Sequence, residues 1–160
     1  HRGIRFNRST SLLIFDVDHF KQYNDTYGHP DGDRLLKQLG KIVKDNAGSF
    51  DTSCRYGGEE FVLILPETKP DHAYLVAEKL RQIIEHTEFP NRKVTVSIGL
   101  VTNTNSTCTP EQLLQEADKA LYKSKNAGRN KTTHVIVVDK NLGAIDVEEA
   151  NKIGKKAEGE

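Results

Sequence analysis

Gly57-Gly58, set between Arg55-Tyr56 and Glu59-Glu60-Phe61, constrains the fold of this chain more than any other segment. It stands at the mouth of an apolar run, Phe61-Val62-Leu63-Ile64-Leu65. Paired glycines between extended segments predict a tight hairpin, because primed turns need a positive φ that side chains resist. The turn lifts Glu59 and Glu60 to the end of a sheet, beside bare backbone that a ligand can approach closely. Adjacent carboxylates repel, so an acidic hairpin tip is a poor device for stability. It suits either a divalent cation or an exposed, solubilising turn.

A second segment has the same character. The run Ser11-Leu12-Leu13-Ile14-Phe15 ends abruptly in Asp16-Val17-Asp18. An unbroken apolar run predicts a strand covered on both faces and therefore central in its sheet. Strand alternation puts Asp16 and Asp18 on one face and Val17 on the other. Pairing of this strand with the one entered through Glu59 gathers several carboxylates at one edge. Magnesium takes few protein carboxylates and completes its octahedron with water and substrate phosphates, and two such ions can bridge the attacking and leaving oxygens of a phosphoryl or nucleotidyl transfer. The competing reading, that one aspartate caps the following turn, suits Asp18 better than Asp16.

The 160 residues predict one domain with a proper core, and 23 acidic against 23 basic residues give no global field toward nucleic acid or a membrane surface. There is no long apolar run and no signal-peptide pattern. Two cysteines are too few for a disulfide framework; Cys54, in the approach to the hairpin, reads as a small buried thiol in a reducing cytosol. Periodicity predicts a short helix over 20–27, a turn at Gly28-His29-Pro30 and an amphipathic helix over 31–45. The 54–65 hairpin follows. A helix opening at Pro70 buries Ala73, Val76, Ala77, Leu80, Ile83 and Ile84, and an alternating strand spans 93–102. A helix opened by Thr109-Pro110-Glu111 presents Leu113, Leu114, Ala117, Leu121 and Tyr122 and ends at Gly128; an apolar strand covers 134–138. A turn at Asn141-Leu142-Gly143 and residues 144–147 suit an added hairpin, and the Lys/Glu-rich close suits a frayed helix or disorder. The pattern is an α+β, ferredoxin-like βαββαβ sandwich: a central antiparallel sheet with helices packed around it.

Phe15-Asp16-Val17-Asp18-His19-Phe20-Lys21, Asn24-Asp25-Thr26-Tyr27-Gly28-His29, Gly32-Asp33 and Arg55-Tyr56-Gly57-Gly58-Glu59-Glu60-Phe61 resemble, in order, the motifs of the GGDEF family of diguanylate cyclases. Thr95-Val96-Ser97-Ile98-Gly99 and the stretch from Ala117 through Lys125 and Arg129 to Asn130 resemble the family's later strand and last helix. The resemblance implies a palm-type catalytic domain over residues 1–138, truncated at its N-terminus, and leaves 139–160 as an extension with no assigned role. His1 stands shortly before the first strand, so the family's preceding helix and linker are barely represented. The chain reads as a fragment whose upstream sensory domain is absent, working in the cytoplasm or as the cytosolic part of a larger, membrane-attached protein.

The implied reaction joins two GTP into cyclic di-GMP with release of two pyrophosphates, with two Mg²⁺ or Mn²⁺ per site and a homodimer as the working unit. By the resemblance, Asp16, the carbonyl of Val17 and Glu59 hold metal. Glu59, or secondarily Glu60, takes the hydroxyl proton. Lys21, the amides of His19 and Phe20, and the pair Lys125 and Arg129 on one face of the last helical turn meet phosphates. Guanine presents two N–H donors that one carboxylate accepts together, a pair adenine lacks; by the resemblance this carboxylate is Asp33, with Asn24 beside it and His29 lining the loop. Residue by residue, the plainer alternatives are a helix cap for Asp33, a turn residue for Asn24, dipole compensation for Lys125 and Arg129, and an exposed lysine for Lys21. The family's product-inhibition motif, Arg-x-x-Asp, is degenerate here as Gly48-Ser49-Phe50-Asp51. The alternatives for the whole chain are a catalytically silent module binding GTP or cyclic di-GMP, a mononucleotide cyclase, and a partner-binding domain without nucleotide.

Overall fold

β1 (Thr10–Val17) is hydrogen-bonded on both sides: antiparallel to β3 (Glu60–Leu65), from Ser11↔Leu65 to Asp16↔Glu60, and antiparallel to β4 (Val96–Asn103), from Thr10↔Asn103 to Val17↔Val96. This computed structural model describes residues 9–104, 108–138, 141 and 143–159. Between β1 and β3 lie α1 (Phe20–Tyr27), α2 (His29–Asn46) and the edge strand β2 (Thr52–Arg55). After β3 come α3 (Pro70–His86), β4, α4 (Pro110–Asn126) and β5 (Thr132–Val137), then β6 (Ala144–Asp146) and α5 (Val147–Glu158). The sheet order is β2-β3-β1-β4-β5-β6. Each neighbouring pair among its first four strands is antiparallel, the ferredoxin-like arrangement; α4 then carries the chain over to β5, parallel to β4, and β6 returns antiparallel to β5.

Alternation along β1 divides the core into two layers. Leu13, Phe15 and Val17 pack with Tyr23, Leu35, Leu39, Leu80 and Ile84 under α1, α2 and α3. Leu12 and Ile14 pack with Val62, Val101, Ala117 and Leu121 under α4. The α4 layer is held close: a Cβ built on Gly99 would lie 2.1 Å from the Ala117 carbonyl oxygen and 2.4 Å from the Leu121 nitrogen. Ser124 Oγ donates to the Ile98 carbonyl at 2.8 Å and lies 2.7 Å from Thr133 Oγ1, which fixes the rotation of α4. A reciprocal Thr109–Gln112 capping box starts that helix.

Several expectations change. Cys54 is exposed rather than buried, because β2 is an edge strand whose residues are all exposed. The strand expected over 93–102 begins at Val96 and is buried throughout, since helices cover both faces and its polar residues are used internally. Tyr122 projects to solvent, and Ala120 and Ser124 take the inner face of α4. The turn before α2 reduces to Gly28 (φ 90°), and His29 is already helical. The C-terminal hairpin forms between β5 and β6, with Leu142 of its expected turn outside the described residues; the closing segment is α5, capped by Asp146 Oδ1 accepting from the amides of Glu148 and Glu149. Among the described residues, no helix is long and apolar enough to cross a membrane.

A buried polar chain crosses the sheet: His134 Nε2 lies 2.9 Å from Thr102 Oγ1, which lies 2.8 Å from Ser11 Oγ, which donates to the Thr68 carbonyl at 3.3 Å. The imidazole stacks against Tyr74, and burial pushes it down from 6.5 to about 4, against the opposing pull of Asp71 and Asp146. The unfolded chain therefore takes up a proton as pH falls through 6.5 that the folded chain refuses until about 4. Stability from this site is present in full above that window and lost as pH falls through it, by on the order of 2–3 kcal/mol. Denaturant unfolding at a series of pH values should show this loss in the wild type and a flatter dependence in His134→Gln; identical dependences would contradict it.

Candidate active site

β1 ends in a cavity of about 180 Å³ lined by Asp16, Val17, Asp18, His19, Phe20, Lys21, Glu59, Lys125 and Arg129. Three segments meet there. The chain leaves β1 through His19 (φ 57°) directly into α1, which seats Phe20 in the core and leaves Lys21 exposed. The β2–β3 hairpin brings Glu59. The end of α4 and the loop after it bring Lys125 and Arg129. A larger cavity of about 520 Å³ lies between α3, β5 and α5, lined in part by Leu75, Ile136 and Val147, and contains none of the candidate site residues named from the sequence.

Asp16 lies on the α4 side of β1, directly across from Glu60, and is only 2% exposed. One carboxylate oxygen, Oδ2, is paired with Lys125 Nζ; the other, Oδ1, is buried without a hydrogen-bond partner. Burial raises its carboxyl above the usual range, with Lys125 pulling it down and Asp18 adding to the rise. Glu59 is half-buried and raised by burial and then by Asp16; Glu60 is raised by burial, then Asp118, then Asp16. An orphaned buried carboxylate oxygen beside a second carboxylate of raised pKa fits a divalent cation held by few protein groups. Among the described residues, no cluster of three or more His, Cys, Asp or Glu side chains forms a closed metal cage.

Asp18 plays a different part from Asp16. It accepts hydrogen bonds from Thr95 Oγ1 at 2.7 Å, Ser97 Oγ at 2.6 Å and the Asn130 amide at 3.0 Å. It caps no turn; it joins β1, β4 and the α4–β5 loop. Thr95, Ser97 and Asn130 are the partners that sequence reasoning missed, although polar residues at alternate positions of an otherwise apolar strand were a signal. The hairpin also differs from its expected form. Neither Gly57 nor Gly58 has a positive φ, because the turn is a longer loop closed by the Tyr56 amide on the Glu60 carbonyl at 2.8 Å. Arg55 Nε and Nη2 clasp the Gly58 carbonyl, and Gly57 leaves room for the Glu60 side chain, whose Oε2 would lie 3.3 Å from an added Cβ. Lys125 and Arg129 share the cavity but not a helix face: α4 stops at Asn126, and Arg129 arrives from a turn with φ 64°.

Asn24, His29 and Asp33 lie outside the cavity, around the α1–α2 junction. Asn24 Oδ1 is buried and without a hydrogen-bond partner, 1.8 Å from where a Cβ on Gly32 would stand, so only glycine there lets the amide lie across α2. His29 is the first residue of α2, and Asp33 is exposed further along it, too far in to cap the helix. At the far end of α2, the Gly48 amide donates to Asp51 Oδ2 at 2.7 Å and the Asp51 amide to the Gly48 carbonyl at 3.1 Å, a closed turn.

The raised Glu59 carboxyl has a consequence for the metal-free protein. As pH rises above 4.5 the unfolded glutamate ionises freely, while the folded one is penalised; a neutral glutamine escapes that penalty. In chelator, Glu59→Gln should melt at or above the wild-type midpoint at neutral pH, with the difference closing as pH falls toward 4.5. A clearly lower midpoint at neutral pH would contradict this electrostatic picture.

Comparison with known proteins shows the family. The family model described as diguanylate cyclase, GGDEF domain, matches residues 2–131. Diguanylate cyclase A of Treponema denticola is 42% identical over 127 residues, and the response regulator PleD of Caulobacter vibrioides is 40% identical over 126. These alignments take in 77% and 75% of this chain but only 34% and 28% of those proteins, so the chain spans about a third of the curated relatives' length. The GGDEF domain of DgcB from Caulobacter crescentus, solved in complex with c-di-GMP, superposes with a TM-score of 0.74 at 31% identity, covering 79% of this chain and 77% of that one. The active GGEEF domain of a Vibrio cholerae diguanylate cyclase gives 0.76 at 30% identity, covering 81% and 85%.

Proposed function

Because the chain belongs to the GGDEF family, we propose that it is a diguanylate cyclase, joining two GTP into cyclic di-GMP with release of two pyrophosphates. One observation carries the reading: a buried, half-unpartnered Asp16 carboxylate and Glu59 share a cavity with Lys21, Lys125 and Arg129. Carboxylates suited to cations and cations suited to phosphates in one place match a nucleoside triphosphate and its metals. The cyclic di-GMP bound to the related DgcB domain supports the same chemistry.

Asp16, the Val17 carbonyl and Glu59 would hold two divalent cations, Mg²⁺ or Mn²⁺. When bound, these supply Lewis acidity at the α-phosphate and acidify the attacking hydroxyl. Glu59 takes the proton of the 3′-hydroxyl, whose acidity the bound metal raises. Glu60 is the secondary candidate. Each 3′-oxygen attacks the α-phosphorus of the other nucleotide, and the α–β anhydride bond breaks as pyrophosphate leaves. Lys21, Lys125, Arg129 and the amides of His19 and Phe20 offset the phosphate charge. Asp33 accepts the two guanine donors, with Asn24 beside it and His29 lining the loop.

The cavity gathers one set of phosphate-facing cations and one pair of carboxylates, Asp16 and Glu59, enough for one nucleoside triphosphate. Each chain therefore holds one GTP, and two chains face each other as a homodimer. Residues 1–138 form the catalytic unit, with β6 and α5 an extension beyond it, and the reaction takes place in the cytoplasm, where GTP is found. Incubating the protein with GTP and Mg²⁺ and resolving the products by chromatography tests the reading. Cyclic di-GMP and pyrophosphate are expected. Unchanged GTP would indicate a silent binding module, and a cyclic mononucleotide would indicate a different cyclase.

Base selection gives a sharper expectation. Loss of a charge-assisted paired contact costs on the order of 1.5–3 kcal/mol, about one to two decades of discrimination. In competition binding, Asp33→Ala should lose that much preference for GTP over ATP while retaining affinity for the triphosphate. An unchanged preference would remove Asp33 from base recognition.

Feedback by product should be weak. Asp51 is held in its turn with Gly48, no arginine stands at position 48, and Arg81 is engaged by Glu78 and Glu85. A lone carboxylate cannot offset the charge of two product phosphates. Calorimetric titration of cyclic di-GMP should show weak binding to the wild type and a gain in Gly48→Arg. Submicromolar wild-type binding that disappears in Asp51→Ala would contradict this.

A further inference from the structure

Arg129 and Asn130 are consecutive non-glycine residues in the left-handed region, at φ 64° and φ 45°, directly after Gly128 at φ 106°. Arginine resists that conformation, whereas asparagine tolerates it better than most side chains. The turn therefore needs anchors, and Asn130 supplies three. Its amide donates to Asp18 Oδ2 at 3.0 Å, its Nδ2 donates to Glu85 Oε1 at 3.0 Å, and its Oδ1 accepts from Arg81 Nη1 at 2.9 Å. Arg81 and Glu85 both project from α3 and are paired with each other at 3.1 Å; Glu78 fixes Arg81 again at 2.5 Å. The same contacts, with Asn130 first, hold the Glu85 carboxyl below its ordinary value. Only a side-chain amide offers a donor and an acceptor side by side to meet a carboxylate and a guanidinium together.

We infer that Asn130 is a positioning residue: bridged by Arg81 and Glu85 to α3 and by Asp18 to β1, it locks the left-handed turn that aims Arg129 into the cavity where a nucleotide phosphate binds. The inference rests on the nucleotide reading of that cavity. It assigns the surface of α3 a part in substrate binding although neither Arg81 nor Glu85 lines the cavity. A plain structural role, in which Asn130 only ends α4, would leave phosphate affinity untouched in a folded variant.

The probe is a GTP analogue with a methylene bridge between the α and β phosphorus atoms, titrated with Mg²⁺ by calorimetry. Arg129→Ala should weaken it about tenfold, the loss of one charge-assisted contact. Asn130→Gly, which relieves φ strain while deleting the clamp, should weaken it comparably, and the double variant should bind no more weakly than Arg129→Ala alone, because both changes remove one function. Asn130→Asp should also weaken binding, since its carboxylate faces Glu85; adding Glu85→Gln restores the missing donor and should restore affinity. These last variants keep the test open if Asn130→Gly folds poorly, and hydrogen exchange at the Asn130 amide reports the clamp directly in each. Wild-type affinity in folded Asn130→Gly, additive losses in the double variant, or no rescue by Glu85→Gln would overturn the inference. Failure of the wild type to bind the analogue would instead overturn the nucleotide reading, and this inference with it.

Discussion

Burying the Asp16 carboxylate at the end of the central strand is the constraint around which the rest of this molecule is arranged. β1 has strands on both sides and helices on both faces, so a charge at its end leaves water almost completely. An isolated buried carboxylate is costly, and a single ammonium on one oxygen offsets that cost only in part. Lys125 can reach Asp16 because α4 lies against bare backbone at Gly99, and Ser124 pins the helix to Ile98 at the residue before. Glu59 joins them because β3 is in register with β1, which sets Glu60 across from Asp16 and the hairpin tip beside the cavity. Each arrangement adds to the electrostatic cost of burying Asp16 or offsets part of it. The same close packing of α4 and the same register also build the hydrophobic core.

The molecule separates roles that the sequence makes look alike. Two aspartates two residues apart differ completely in availability: Asp18 is surrounded by three donors and serves as a tie between segments, while Asp16 keeps a free oxygen. Two glycines that resemble a tight turn instead provide side-chain room and a carbonyl for Arg55. The groups with raised carboxyls sit where rigid strands end and loops begin, the usual place for a scaffold to present chemistry.

The fold was largely legible in the sequence because its signals are local. The apolar runs entering Asp16 and leaving Glu60, the span of α1 and the start of α4 at Thr109-Pro110 all follow from periodicity and capping. The meeting of Asp16, Lys21, Glu59, Lys125 and Arg129 at one cavity was legible only through the resemblance, since spacing along the chain does not say which strands pair. The misses share a tertiary cause. Cys54 is exposed because β2 is an edge, and β4 is buried because helices cover both faces. Arg129 leaves the helical face because two residues adopt left-handed backbone held by partners 49 and 112 positions away. Nothing within a short window encodes those partners.

The most direct test of the central claim is to count bound metal. Electron paramagnetic resonance of free Mn²⁺, titrated against the protein with a non-reacting GTP analogue, gives the number of ions taken up per chain. The account predicts two ions in the wild type, with uptake lost in Asp16→Asn and in Glu59→Gln although both remain folded. Undiminished Mn²⁺ uptake by folded Asp16→Asn would mean that the buried carboxylate is not a metal ligand, and would contradict the account at its base.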